Sequence, residues 1–143
     1  MKGPVVYVED EPDDAFFMER ALAQAAPGIE LKILTNGQEA LQFFAAVAKA
    51  QSSAKTRPGL VLLDLNLPGR SGLEVLGEIR SHETLRVTPV IIYTSSNQAV
   101  DIAEAYRRGC SAYLVKPGSP AKMRNLVSVL TTFWLKENHY PVG

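Results

Sequence analysis

Short apolar runs recur along the chain, and each is followed by a stretch whose apolar positions repeat at helical spacing. The runs are Pro4–Val8, Glu30–Leu34, Leu60–Leu63, Pro89–Tyr93 and Ser111–Val115. Leu60–Leu63 is continuously apolar, the pattern of a strand buried on both faces. The first predicted helix opens at Pro12, with Asp13 and Asp14 in its first turn, and stops at Pro27-Gly28 after about Ala26. Its core stripe is expected from Phe16, Phe17, Met18, Leu22 and Ala25. Asn36 caps the second helix with Glu39 at its third position, and Ala40, Leu41, Phe44 and Val47 face inward. Ser71 and Glu74 form a capping box for the third, which carries Leu73, Leu76 and Ile79. Asn97 caps the fourth, which ends at Arg107, Arg108 and Gly109. Ser119 and Pro120 open the last, running to about Glu137. The polar stretch Gln51–Pro58 reads as an exposed loop. Strict alternation of strand and helix predicts an α/β fold, a doubly wound parallel sheet with right-handed crossovers.

The polar residues that end the strands change the picture. Glu9 and Asp10 follow the first strand, Asp64 the third, Thr94 the fourth and Lys116 the fifth. Open α/β sheets bind ligands at the carboxyl ends of their strands, so these side chains should meet on one rim. A carboxylate beside a buried strand is costly unless a cation, a donor or a reaction justifies it. Several carboxylates become tolerable around a divalent cation, and hard oxygen ligands without nearby His or Cys point to Mg²⁺. With the Lys116 ammonium and the Thr94 hydroxyl added, the rim suits an anionic phosphoryl group. Asp64 can be the nucleophile that receives it as an acyl phosphate.

Composition narrows the class. At 143 residues, 46% hydrophobic and 21% charged, the sequence is expected to form one globular domain over 1–143. A formal net charge of zero gives no support to nucleic-acid binding. No apolar run approaches a membrane span, and the N-terminus lacks a signal-peptide pattern. The single cysteine, Cys110, excludes an internal disulfide, reads as a small core residue and fits a reducing cytoplasm. His82 and His139 are far apart in sequence, which argues against zinc.

Four segments then carry a resemblance: VED at Val8–Asp10, LLDLNLPGRSGLEVL at Leu62–Leu76, PVIIYTSS at Pro89–Ser96 and SAYLVKP at Ser111–Pro117. In this order and spacing the sequence resembles the receiver domains of two-component response regulators. The resemblance implies a flavodoxin-like five-stranded parallel sheet of order 2-1-3-4-5 with five helices. It implies Asp64 as phosphoacceptor, Asp10 as direct Mg²⁺ ligand, Glu9 as outer acid and the Asn66 backbone carbonyl as a further ligand. Lys116 is then the phosphoryl-binding lysine, Thr94 the switch hydroxyl and Tyr113 its aromatic partner. A cis Lys116–Pro117 bond is also implied. Glu9 stands where the family more often has Asp, and Gly118 where it often has a bulky apolar residue. No linker follows the last helix, so the family's usual DNA-binding output is not expected. The implied function is a stand-alone regulator, not an enzyme, that takes phosphoryl from a sensor histidine kinase. TTFWLKENHYP at Thr131–Pro141 further resembles regulators paired with bacterial phytochrome kinases, many of them dimeric.

Mg²⁺-dependent phosphatases or phosphotransferases with an Asp nucleophile are the competing class. Those of haloacid-dehalogenase type place a second Asp two residues after the nucleophile, whereas Asp64 is followed by Leu65 and Asn66. A flavin-binding flavodoxin would need a hydroxyl- and glycine-rich phosphate loop where Glu9–Asp14 stands. In the last helix, Met123, Val127, Leu130 and Trp134 supply a core stripe, and Leu126, Val129, Phe133 and Leu135 exceed one face. About 119–143 is therefore expected to form a homodimer surface, with Phe133, Trp134 and Leu130 among its residues.

Overall fold

The computed structural model describes residues 3–50 and 57–141. Its strands are β1 (Val5–Val8), β2 (Leu31–Leu34), β3 (Leu60–Leu63), β4 (Val90–Thr94) and β5 (Ala112–Val115). They form one five-stranded sheet of order β2-β1-β3-β4-β5, parallel throughout. The helices are α1 (Pro12–Ala25), α2 (Gly37–Lys49), α3 (Gly72–Ser81), α4 (Ala99–Arg107) and α5 (Pro120–Thr131). The expected fold class and strand order are therefore present. Most of the expected Gln51–Pro58 loop lies outside the described residues.

Strands β1, β3 and β4 are buried along their whole length, which explains why they read as continuous apolar runs. On one face of the sheet Val6, Val8, Val61, Leu63 and Ile92 pack with Phe44 of α2, Leu76 and Ile79 of α3, and Ala105 of α4. On the other, Val5, Tyr7, Leu62 and Ile91 pack with Met18 and Leu22 of α1 and Met123, Val127 and Leu130 of α5. Strand order reverses between β1 and β3, so the rim outside their carboxyl ends is the place for a site.

Three expected caps are present: the Asn36 side chain accepts the Glu39 N–H at 2.7 Å, Ser71 Oγ the Glu74 N–H at 3.3 Å and Ser119 Oγ the Lys122 N–H at 3.2 Å. The expected capping box is only half formed, since the Glu74 carboxylate pairs with Arg70 at 2.8 Å. Others need correction. α4 starts at Ala99 after Gln98, not behind an Asn97 cap, and Ser96 Oγ takes the Gln98 N–H instead. In α1 the stripe is carried by Met18, Ala21 and Leu22, at helical spacing, which leaves Phe16 and Phe17 outside it. Phe16 is 53% exposed and Phe17 38%, their rings edge-to-face with the Arg20 guanidinium over Phe16. Regular α5 ends at Thr131, and Thr132–Glu137 continue as a π-helical turn. Leu130, expected at an interface, is buried against the sheet because it continues the Met123–Val127 stripe. Trp134 is half-buried against that same cluster, while Phe133 is 51% exposed. The Lys116–Pro117 peptide is trans, as no cis bond occurs among the described residues.

Candidate functional site

Backbone pairing places the site before any side chain does. Register Val8↔Leu63 sets the residues after β1 and β3 side by side, and the Asp64 N–H donates to the Val8 carbonyl at 3.1 Å. The Lys116 N–H donates to the Thr94 carbonyl at 2.8 Å, so β4 and β5 also stay paired to their functional ends. α3 begins immediately against this rim: its Gly72 N–H donates to the Leu65 carbonyl at 3.0 Å. A Cβ on Gly72 would lie 2.1 Å from the Asp64 carbonyl oxygen, so only glycine permits that approach.

Asp64 is 4% exposed, and both its carboxylate oxygens are engaged. Oδ1 accepts the Thr94 hydroxyl at 2.8 Å and the Asn66 N–H at 3.1 Å, and Oδ2 accepts Lys116 Nζ at 2.9 Å. Burial alone would raise its pKa, but the donors from Lys116, Asn66 and Thr94 hold the carboxyl below its ordinary value. It is ionised at neutral pH.

Lys116 binds three carboxylates at once: Asp64, Asp14 at 2.8 Å, and Glu9. Burial acts to weaken the ammonium, yet its hydrogen bonds to the three acids push its pKa above the ordinary value. Glu9 is 1% exposed and lies inward rather than at the surface. Its Oε1 accepts the Tyr7 hydroxyl at 3.0 Å together with Lys116, and its Oε2 accepts the Glu11 N–H at 3.2 Å. Burial raises the Glu9 carboxyl to about 7 in spite of Lys116, with the Asp64 charge adding to the rise. Asp10 is exposed. Among the described residues, no three His, Cys, Asp or Glu side chains already form a cation cage.

Tyr113 is half-buried on β5, and its hydroxyl donates to the Ser96 carbonyl at 2.9 Å. It therefore links β5 to the loop after β4. Of the residues expected on the rim, Glu9, Asp64, Thr94, Lys116 and the Asn66 N–H are joined by hydrogen bonds, whereas Asp10, expected to converge with them, is exposed. Sequence reasoning missed Asp14 and Tyr7. Asp14 carried no signal of its own, since Asp13 and Asp14 sit side by side in the first helical turn.

An Asp at a β3 terminus, flanked by a lysine from β5 and a threonine from β4, coincides with a family profile. Residues 5–128 match the response regulator receiver domain. The chain belongs to the response regulator receiver family. The receiver domain is similar over almost its whole length to response regulator Rcp1 of Synechocystis sp., at 33% identity over 139 residues, 97% of this chain and 93% of the relative. The crystal structure of the phosphorylated cyanobacterial phytochrome response regulator RcpA superposes with a TM-score of 0.88 at 32% identity, covering 99% of each chain. The Mn²⁺-bound form of Rcp1 superposes at 0.80 and 31% identity, covering 98% of this chain and 99% of its own. Receiver domains serve phosphorelay signalling and partner with histidine kinases. No helix among the described residues is long and apolar enough to cross a membrane.

Proposed function

We propose that the protein is a stand-alone response regulator, spanning 1–143 as one domain, that accepts phosphoryl on Asp64 from a phytochrome-type histidine kinase. The observation that carries this is the enclosed Asp64 carboxylate with one oxygen on Lys116 and the other on Thr94. An Asp64 oxygen attacks the phosphorus of the phosphohistidine. The P–N bond breaks, its electron pair returns to the ring nitrogen, and Asp64 becomes an acyl phosphate. Lys116 then has an N–H already directed at the oxygen that receives the phosphoryl group. Likeness to the phytochrome response regulator RcpA supports the phytochrome pairing.

The donor set suits Mg²⁺. One ammonium serves three carboxylates, and Asp10 adds a fourth acid at the rim, so the site carries excess negative charge satisfied by hard oxygen ligands. Asp10, the Asp64 carboxylate and the Asn66 backbone carbonyl would hold the ion, with Glu9 as the outer acid. When bound, it neutralises the phosphoryl oxygens and the carboxylates around them. The Mn²⁺ in Rcp1 supports this assignment. Phosphotransfer profiling against autophosphorylated histidine kinases, phytochrome kinases included, tests the function: label should move rapidly to this protein from one kinase and slowly from the rest. Equally slow transfer from every kinase would contradict it.

Thr94 and Tyr113 form the switch pair, acting as signal rather than enzyme. Thr94→Ala removes one of the three donors on Asp64, so phosphoryl uptake should fall by no more than about tenfold. The response should nevertheless be lost: phosphorylation-induced NMR shifts over 97–116 should shrink well below those of wild type. Equal shifts in both proteins would refute the coupling.

The end of α5 is a dimer surface. Val129 is 65% exposed and Phe133, four residues on, 51%, with Phe133 packed edge-to-face on Trp134 at 4.9 Å between ring centroids. Phe133→Ala should weaken self-association by about tenfold or more in light scattering. A wild type that remains monomeric at high concentration, phosphorylated or not, would end this assignment. The reducing cytoplasm is the compartment in which such a kinase partner and the free Cys110 belong.

A further inference from the structure

An ammonium has three N–H donors, and Lys116 spends one on each of Glu9, Asp14 and Asp64. These acids come from three places: the end of β1, the first turn of α1 and the end of β3. Two of the bonds therefore hold the ammonium from sides other than Asp64, and only the third points at the Asp64 carboxylate, at its Oδ2. Glu9 is itself fixed by Tyr7 and the Glu11 N–H. Asp14 is different, since its side chain is 40% exposed and Lys116 is the hydrogen-bond partner that its carboxylate has across the site. It lies with Lys116, Tyr93 and Gly118 around an open cavity of about 180 Å³, so there is room beside the ammonium.

We propose that Asp14 is a positioning residue that holds Lys116 in line with Asp64 for phosphoryl uptake. The proposal rests on the phosphoacceptor reading of Asp64. When Asp64 becomes an acyl phosphate, the N–H it held passes to a phosphoryl oxygen while the bonds to Glu9 and Asp14 remain. Without Asp14, that N–H turns to water in the cavity and the lysine samples rotamers that miss Asp64. A second reading of the same contact is purely electrostatic, in which Asp14 merely adds negative charge that repels an anionic donor. The two readings predict opposite signs.

The test measures the acetyl-phosphate-driven phosphorylation rate at saturating Mg²⁺ for wild type, Asp14→Ala, Asp14→Asn and Asp13→Ala. Asp13 is an exposed acid of the same helical turn, outside the Lys116 cluster, so its removal changes charge and helix start without touching the lysine. Asp14→Ala should slow uptake by about three- to tenfold, the loss of one partly screened charge-assisted hydrogen bond. Asp14→Asn, which keeps an acceptor oxygen, should recover to within about twofold of wild type, and Asp13→Ala should match it. A rate in Asp14→Ala equal to or above wild type, or an equal fall in Asp13→Ala, overturns the proposal. The Lys116 ¹⁵Nζ resonance gives a readout that needs no phosphorylation: slowly exchanging in wild type and Asp13→Ala, rapidly exchanging in Asp14→Ala. A wild type that takes no phosphoryl refutes the Asp64 reading. The ammonium signal still decides whether Asp14 holds Lys116, and unchanged exchange in Asp14→Ala overturns that.

Discussion

Replacing Asp64 with Asn should give a folded protein that takes up no phosphoryl from any donor. Asn has the same size and shape, and its Oδ1 can still accept from Thr94 and the Asn66 N–H. What it lacks is the nucleophilic oxyanion, and its amide presents N–H donors where Lys116 needs an acceptor. Breaking a buried ion pair usually costs several kcal/mol because it strands the other charge. Lys116 is not stranded here, since Glu9 and Asp14 still hold it, and removing one of three clustered carboxylates relieves repulsion. The stability change should therefore stay within about 2 kcal/mol in urea unfolding. Intact mass after acetyl-phosphate treatment should show no addition. Full labelling of a folded Asp64→Asn variant would remove Asp64 from its assigned role.

Lys116→Arg keeps the charge and should still fail. The three acids approach Lys116 from three elements, an arrangement that suits the three rotatable donors of a compact ammonium. A guanidinium is a planar fork that matches one or two carboxylates lying in its plane and cannot converge on all three. The bond lost at Asp64 is charge-assisted, of the order of 1.5–3 kcal/mol, so uptake from acetyl phosphate should fall about 10- to 100-fold. NMR shifts over 97–116 on phosphorylation should fall with it. An Arg variant with wild-type rate and shifts would show that Lys116 contributes charge alone.

The chain ends of the strands were readable because each functional residue interrupts an apolar run. Asp64 stands out after Leu60–Leu63 for that reason, and Lys116 after Ala112–Val115. The caps at Asn36 and Ser71 were readable because the partner residue is local, three positions on. Relations between elements were not. Asp14 reaches Lys116 across 102 residues, and nothing in the helix start alone distinguishes it from Asp13. Glu9 was expected on the rim and lies there beside Lys116, but its bond to the inward Tyr7 hydroxyl had no signal in the sequence. Phe16 and Phe17 looked like core by residue type, yet Met18, Ala21 and Leu22 already fill the face of α1 that meets the sheet. Leu130 was assigned two roles in the sequence, and packing settled it in the core.

One carboxylate, Asp64, is proposed to receive the phosphoryl group with the help of a divalent cation. Intact mass followed by peptide mapping of the wild-type protein, after acetyl phosphate with Mg²⁺ and again with EDTA, measures this directly. A single added phosphoryl on the peptide containing Asp64, present with Mg²⁺ and absent with EDTA, is the predicted result. Label on another residue, or full labelling of Asp64 in EDTA, would contradict it.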